Sequence, residues 1–231
     1  MGVNTTSSAP SNYATLNPLA NGGLILAEGN LKVTEQTDAT RNVKSTIGAS
    51  SGKFYWELTN NTADYANQSG NNTNSRAGIA REDAAVNTVL GSLSTHYVYQ
   101  YADDTGGVKL FNNNSGTSYG SYVGNGEVLN IACDFSAGKI WYGKNGTYYS
   151  SGDPVAGTNA SQSFTPGGYT WFPATVQRGT GGTNANLNFG QKPFKYAPPK
   201  GFKSLSSVGT KPATVTSNPT QFVGVTTYAG S

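Results

Sequence analysis

EVLNIACDFSAGKIWYGKNGTYY, residues 127–149, reads as two β-hairpins in series. Leu129, Ile131, Cys133 and Phe135 alternate with Val128, Asn130, Ala132 and Asp134, a period of two that sends one row into a core and a mostly polar row outside. Ser136-Ala137-Gly138 supplies a turn with glycine where a positive φ is needed, and Lys139 to Tyr142 returns as a second strand. Asn145 and Gly146 both tolerate φ > 0, which suits the tight hairpin type whose twist matches its strands. Thr147 to Tyr149 is therefore expected to pair back antiparallel.

The same alternation recurs outward from this segment. Phe54, Trp56 and Leu58 alternate with Tyr55 and Glu57, and Tyr97, Tyr99 and Tyr101 share one face of the run from His96. Leu24-Ile25-Leu26 and Leu31-Lys32-Val33 flank the turn Glu28-Gly29-Asn30, and Leu110-Phe111 is a short strand. The pattern predicts an all-β protein, a two-sheet antiparallel β-sandwich with almost no helix. Its core is expected to hold Phe54, Trp56, Ile79, Leu129, Ile131, Cys133, Phe135, Phe172, Leu187 and Phe189.

Four motifs carry a family resemblance. Asp134-x-x-x-Gly138-Lys139-Ile140-Trp141-x-x-x-Asn145-Gly146 resembles the centre of SPRY domains. In the family's order, Gly52-Lys53-Phe54-Tyr55-Trp56-Glu57-Leu58 is similar to its G-K-x-Y-W-E-V strand and Ala77-Gly78-Ile79-Ala80 to its V-G-V-A strand. Trp171-Phe172-Pro173-Ala174 and Asn188-Phe189-Gly190 are similar to its last two strands. Motifs in correct order are far more specific than any one alone. The match runs from about Gly22 to Tyr196. Residues 191–205 (QKPFKYAPPKGFKSL) then resemble an extension found on SPRY domains of bacteriophage structural proteins and usually lacking from eukaryotic members. The resemblance implies a concanavalin-like jelly roll over 22–205, between an extended N-terminal arm, 1–21, and an extended C-terminal tail, 206–231. Both arms are polar and proline-interrupted.

Composition narrows the chemistry. Charged residues make up 12% of the 231, against about 25% in ordinary domains, so candidate acids and bases are few. Fifteen Lys+Arg against twelve Asp+Glu, with no basic run, gives little support to phosphate-backbone binding, and no nucleic-acid partner is expected. Cys133 is the sole cysteine, placed in a core row, and reads as a small buried hydrophobe. No signal-like start and no apolar run long enough for a bilayer are present, which predicts synthesis in a host cytoplasm and no membrane insertion.

Glu57 and Asp134 lie in predicted outward rows, and Glu82-Asp83 and Asp103-Asp104 are loop pairs; their placement reads as structural rather than catalytic. His96 is the only histidine and no nucleophile elbow accompanies it. Asp103-Asp104 with Asn112 to Asn114 lack calcium-loop spacing and read as solvated turns. The glycines of QRGTGGT, 177–183, lack the Gly-Lys-Ser/Thr of a phosphate loop. No catalytic residue, cofactor or metal is expected. Binding, where it occurs, is assigned to inter-strand loops carrying Tyr65, Tyr119, Tyr122 and Arg178, because tyrosine among Gly and Ser gives large contact area at low entropy cost.

The resemblance implies a non-enzymatic virion protein, a tail-fibre or head-decoration component. Its expected partners are other virion proteins, copies of itself, and a host-surface glycan or protein receptor. A free-standing lectin-like glycan- or peptide-binding module is the alternative, and a sandwich-fold glycosidase a remote one.

Overall fold

The computed structural model describes residues 12–34, 41–62, 75–102, 107–178 and 183–210. Its strands are β1 Leu16–Asn21, β2 Leu26–Ala27, β3 Lys32–Thr34, β4 Val43–Ser45, β5 Lys53–Asn60, β6 Ser75–Arg81, β7 His96–Ala102 and β8 Lys109–Asn112. They continue with β9 Ser115–Ser118, β10 Val128–Asp134, β11 Lys139–Lys144, β12 Thr147–Tyr148, β13 Gln162–Ser163, β14 Trp171–Val176, β15 Asn184–Asn188 and β16 Lys203–Ser204. One sheet runs β1-β4-β14-β6-β7-β8-β9. The other runs β12-β11-β10-β5-β15-β3-β2, with β13 on β11 and β16 on β5. Every pairing is antiparallel except β16 with β5, so the chain is a two-sheet sandwich.

The opening segment sits at the centre of the larger sheet. In β10, Ile131 pairs with Trp56 of β5 on one side and Tyr142 of β11 on the other. Asp134 Oδ1 accepts the Ala137 N–H at 2.9 Å, which holds the turn to Gly138 (φ 65°). Asn145 (φ 50°) and Gly146 (φ 85°) make the second turn, and Lys144 pairs with Thr147 across it. Leu129, Ile131, Cys133 and Phe135 face the space between the sheets with Phe54, Trp56, Leu58, Ile79, Leu187 and Phe189. Phe172 departs from the expected core. It is half-buried beside the Lys44 ammonium, while Trp171 fills the interior there against the rings of Tyr97 and Phe164.

The outward row of the larger sheet differs more. All seven residues of β10 are buried, including the row expected to face solvent. The cause is the segment after β15. Beyond Asn188 the chain leaves the edge of β5, crosses the outer face, and returns to the same edge as β16, where Lys203 pairs with Phe54. A Leu205 N–H to Phe189 O bond closes the base of this strap. Phe194 meets Tyr55 edge-on at 4.9 Å and Phe202 meets Trp141 at 6.3 Å, forming a second small core with Ala132.

The N-terminal segment also joins the sandwich. Ala14 and Leu16 are fully buried, the Ala14 N–H donates to Leu205 O, and β1 pairs with β4. Within 12–21, expected to end a polar arm, Leu16–Asn21 is therefore an edge strand, with Ala14 and Leu16 buried at the sheet margin while Tyr13 and Leu19 stay exposed. The connection after Leu110-Phe111 contains a further hairpin, β8–β9, turning on Asn113 (φ 48°) and Asn114 (φ 61°). Asparagine tolerates that conformation better than most residues, so the Asn run is a turn signal.

Candidate functional site

The registers bring several connections to one end of the sandwich. Ser75 pairs with Ala102, Gln100 with Lys109, Val128 with Thr59, and Val176 with Arg76, so the connections after β5, β7, β9 and β14 all leave from that end. Of the four residues assigned to binding, Tyr65 lies outside the described residues. The other three are at this end. Arg178 follows β14; its N–H and carbonyl both bond the Ser75 hydroxyl, and its side chain is half-buried.

Tyr119 and Tyr122 are half-buried and packed against the core rather than free in solvent. Tyr119 meets Tyr99 and Tyr149 edge-on at 6.3 and 5.9 Å, and its hydroxyl lies 2.8 Å from Ser161 Oγ. Tyr99 stacks on Tyr142 at 5.4 Å, and the hydroxyls of Tyr99 and Tyr149 both donate to Ser121 O. Burial, with Tyr149 alongside, holds the Tyr99 phenol far above its ordinary range. Lys144 Nζ donates to Tyr122 O and pairs with Glu127 at 3.2 Å, fixing the base of the same loop. The described part of this end is a rim built on an aromatic wedge. Tyr119 and Tyr122 lie on an inter-strand connection as expected, but sequence reading missed Tyr149, the ring partner of Tyr119, which comes from beyond the second hairpin.

The carboxylates are structural acceptors. Glu57, 3% exposed, accepts the Tyr55 hydroxyl at 2.8 Å and the backbone N–H groups of Tyr196 and Lys195 at 2.8 and 2.9 Å. It is the clamp that holds the strap to the sheet, a role invisible in sequence because its donors are 138 and 139 residues away. Asp134 holds its turn and lies 3.6 Å from Lys53. Asp83 forms a two-bond pair with Arg81. Asp153 accepts the N–H groups of Val155 and Ala156. His96 is buried; its Nδ1 accepts the Gly91 N–H at 3.0 Å, and burial, aided by the Lys44 charge, pushes its pKa down to about 4. Burial, with Asp134 beside it, raises the Cys133 thiol, which makes it a poor nucleophile. Among the described residues no group of three or more His, Cys, Asp or Glu could hold a metal ion, and no helix is long and apolar enough to cross a membrane.

No family model matches the sequence, and no curated protein matches it. Solved structures do match by shape. The SPRY domain of human HERC1 is 14% identical with a TM-score of 0.55, covering 77% of this chain and 99% of that one. The TRIM65 PSpry domain is 12% identical with a TM-score of 0.56, covering 77% and 92%. Stonustoxin is 20% identical with a TM-score of 0.52, covering 76% of this chain and 27% of that one. Identities this low speak for architecture alone. The all-β sandwich described above has a SPRY-like fold.

Proposed function

We propose that the chain is a non-enzymatic protein–protein interaction module of a bacteriophage particle, a tail-fibre or head-decoration component. The observation that carries the reading is the strap. The segment whose sequence resembles the extension of phage SPRY proteins is built into the fold as an outer layer, clamped by Glu57 and buried at Phe202, and is not a loose appendage. The SPRY-like fold supports an interaction role, and the structural employment of Glu57 and Asp134 supports the absence of catalysis. The rim at the loop end, stiffened by Tyr99, Tyr119 and Tyr149, offers a preorganised surface, which lowers the ordering cost of binding. Residues 1–11 and 211–231, polar and rich in Thr, Val and Pro, are assigned to contacts with neighbouring copies or other virion proteins. Gold-labelled antibody against the chain should decorate particles purified by density gradient from a lysate of the source. Absence of the chain from intact particles, by labelling and by peptide mass spectrometry, would end the virion reading.

A further inference from the structure

The strap and the sheet beneath it enclose an open groove of about 340 Å³ on the outer face. Its floor is the outward row of β5 and β15, and its wall is the run from Lys192 to Lys195. Both ends of that wall are fixed. Asn188 Oδ1 accepts the Gly190 and Lys192 N–H groups while its Nδ2 donates to the carbonyls of Lys192 and Pro193. Glu57 takes the N–H groups of Lys195 and Tyr196.

The amides on the floor are oriented from one end. A carboxylate only accepts, so Glu28 obliges Asn186 to present Nδ2, at 2.6 Å. Asn186 Oδ1 is then left to accept Asn61 Nδ2, at 2.5 Å. Asn61 Oδ1 is thereby set as an acceptor, and neither it nor the Thr59 hydroxyl has a hydrogen-bond partner among the described residues. Lys192 and Lys195, both exposed, line the wall and bring positive charge, the Lys195 ammonium also donating to Gly126 O at 3.4 Å. Among the described residues Glu57 is the one carboxylate that lines the groove, already occupied by three donors, and Glu28 at its end is engaged by Asn186. No aromatic ring lines the groove among the described residues, so a ligand there is held by polar contacts rather than stacking.

We propose that this groove binds an acidic saccharide, its hydroxyls met by Asn61 and Thr59 and its carboxylate by Lys192 and Lys195. The proposal goes beyond the interaction module and does not depend on it, since particle membership and sugar binding are read by separate experiments. Calorimetric titration of the full chain with a hyaluronan tetrasaccharide and with sialyllactose, against the uncharged chitotetraose and lactose, tests it. At least one acidic sugar should bind about tenfold or more tighter than its neutral counterpart, and weaken as NaCl rises from about 20 to about 300 mM. Asn61→Ala and Lys192→Ala should each lose about fivefold or more with unchanged melting, while Lys200→Ala, outside the groove, binds as the parent does. Failure of both acidic sugars at millimolar concentration overturns the proposal. So do equal binding of acidic and neutral sugars, full retention in both groove variants, or polyglutamate binding as tightly as the acidic sugar.

Discussion

A methyl group on Gly78 would lie 2.2 Å from the Tyr97 carbonyl oxygen and 2.5 Å from the Tyr142 hydroxyl, which itself donates to Tyr97 O. The glycine of the Ala77-Gly78-Ile79-Ala80 motif is thus a packing requirement where the two sheets meet. Gly78→Ala should cost roughly 2–3 kcal/mol in urea unfolding, because the backbone carbonyl cannot retreat. Trp56→Ala, which removes a 1%-exposed indole from the same interior, should cost about 3–5 kcal/mol. His96 gives a pH dependence. The unfolded chain takes up its proton near pH 6.5 and the folded chain only near 4, so acid favours unfolding across that window and stability falls as pH drops through it. The loss attributable to this side chain is up to about 3 kcal/mol. His96→Gln should flatten the curve between those limits relative to the parent; parallel curves would remove the histidine from the explanation.

At the scale of elements, what the sequence made legible was what neighbouring residues decide. The period of two in β10, the glycine at 138 and the Asn145-Gly146 turn are local, and the structure has them where the pattern put them. The inward rows of β5 and β10 followed from the same alternation, whereas in β14 Trp171 rather than Phe172 takes the interior. Outward rows did not, because whether Asn130, Ala132 and Asp134 meet water depends on a strap some sixty residues later. Prolines at 193, 198 and 199 exclude a helix there but carry no sign that Phe194 and Phe202 will lie across Tyr55 and Trp141. The candidate site was legible to the same extent. Tyr119 and Tyr122 lie on an inter-strand connection as expected, whereas the packing of Tyr119 against Tyr99 and Tyr149, and of Tyr122 against the core, is tertiary. Because both side chains pack on the core, replacing Tyr119 and Tyr122 by Ala should lower stability as well as any binding. The strap can be tested alone. Phe202→Ala should destabilise by about 2–4 kcal/mol and raise exposure of Trp141 to a collisional quencher, with the inter-sheet core otherwise intact. An unchanged quenching profile would show that the strap does not cover the sheet.

For the whole molecule, the two sheets and the strap form one folding unit in which segments from both ends of the described chain interlock. Asn12 O accepts the Ser207 N–H, and Tyr13 bridges to Ser206. Truncation inside residue 12 should therefore unfold the edge strand, whereas removal of 1–11 and 211–231 leaves every described strand its partners. This separates folding from assembly. The most direct measurement of the account's central claim, an interaction module that assembles through segments outside its core, is sedimentation velocity on the full chain beside residues 12–210. The account predicts a discrete concentration-dependent oligomer for the full chain and a monomer for 12–210, with melting temperatures that agree within about 4 °C because the lost contacts lie between chains. A full chain that stays monomeric, or a 12–210 fragment that assembles with the same stoichiometry, would contradict it.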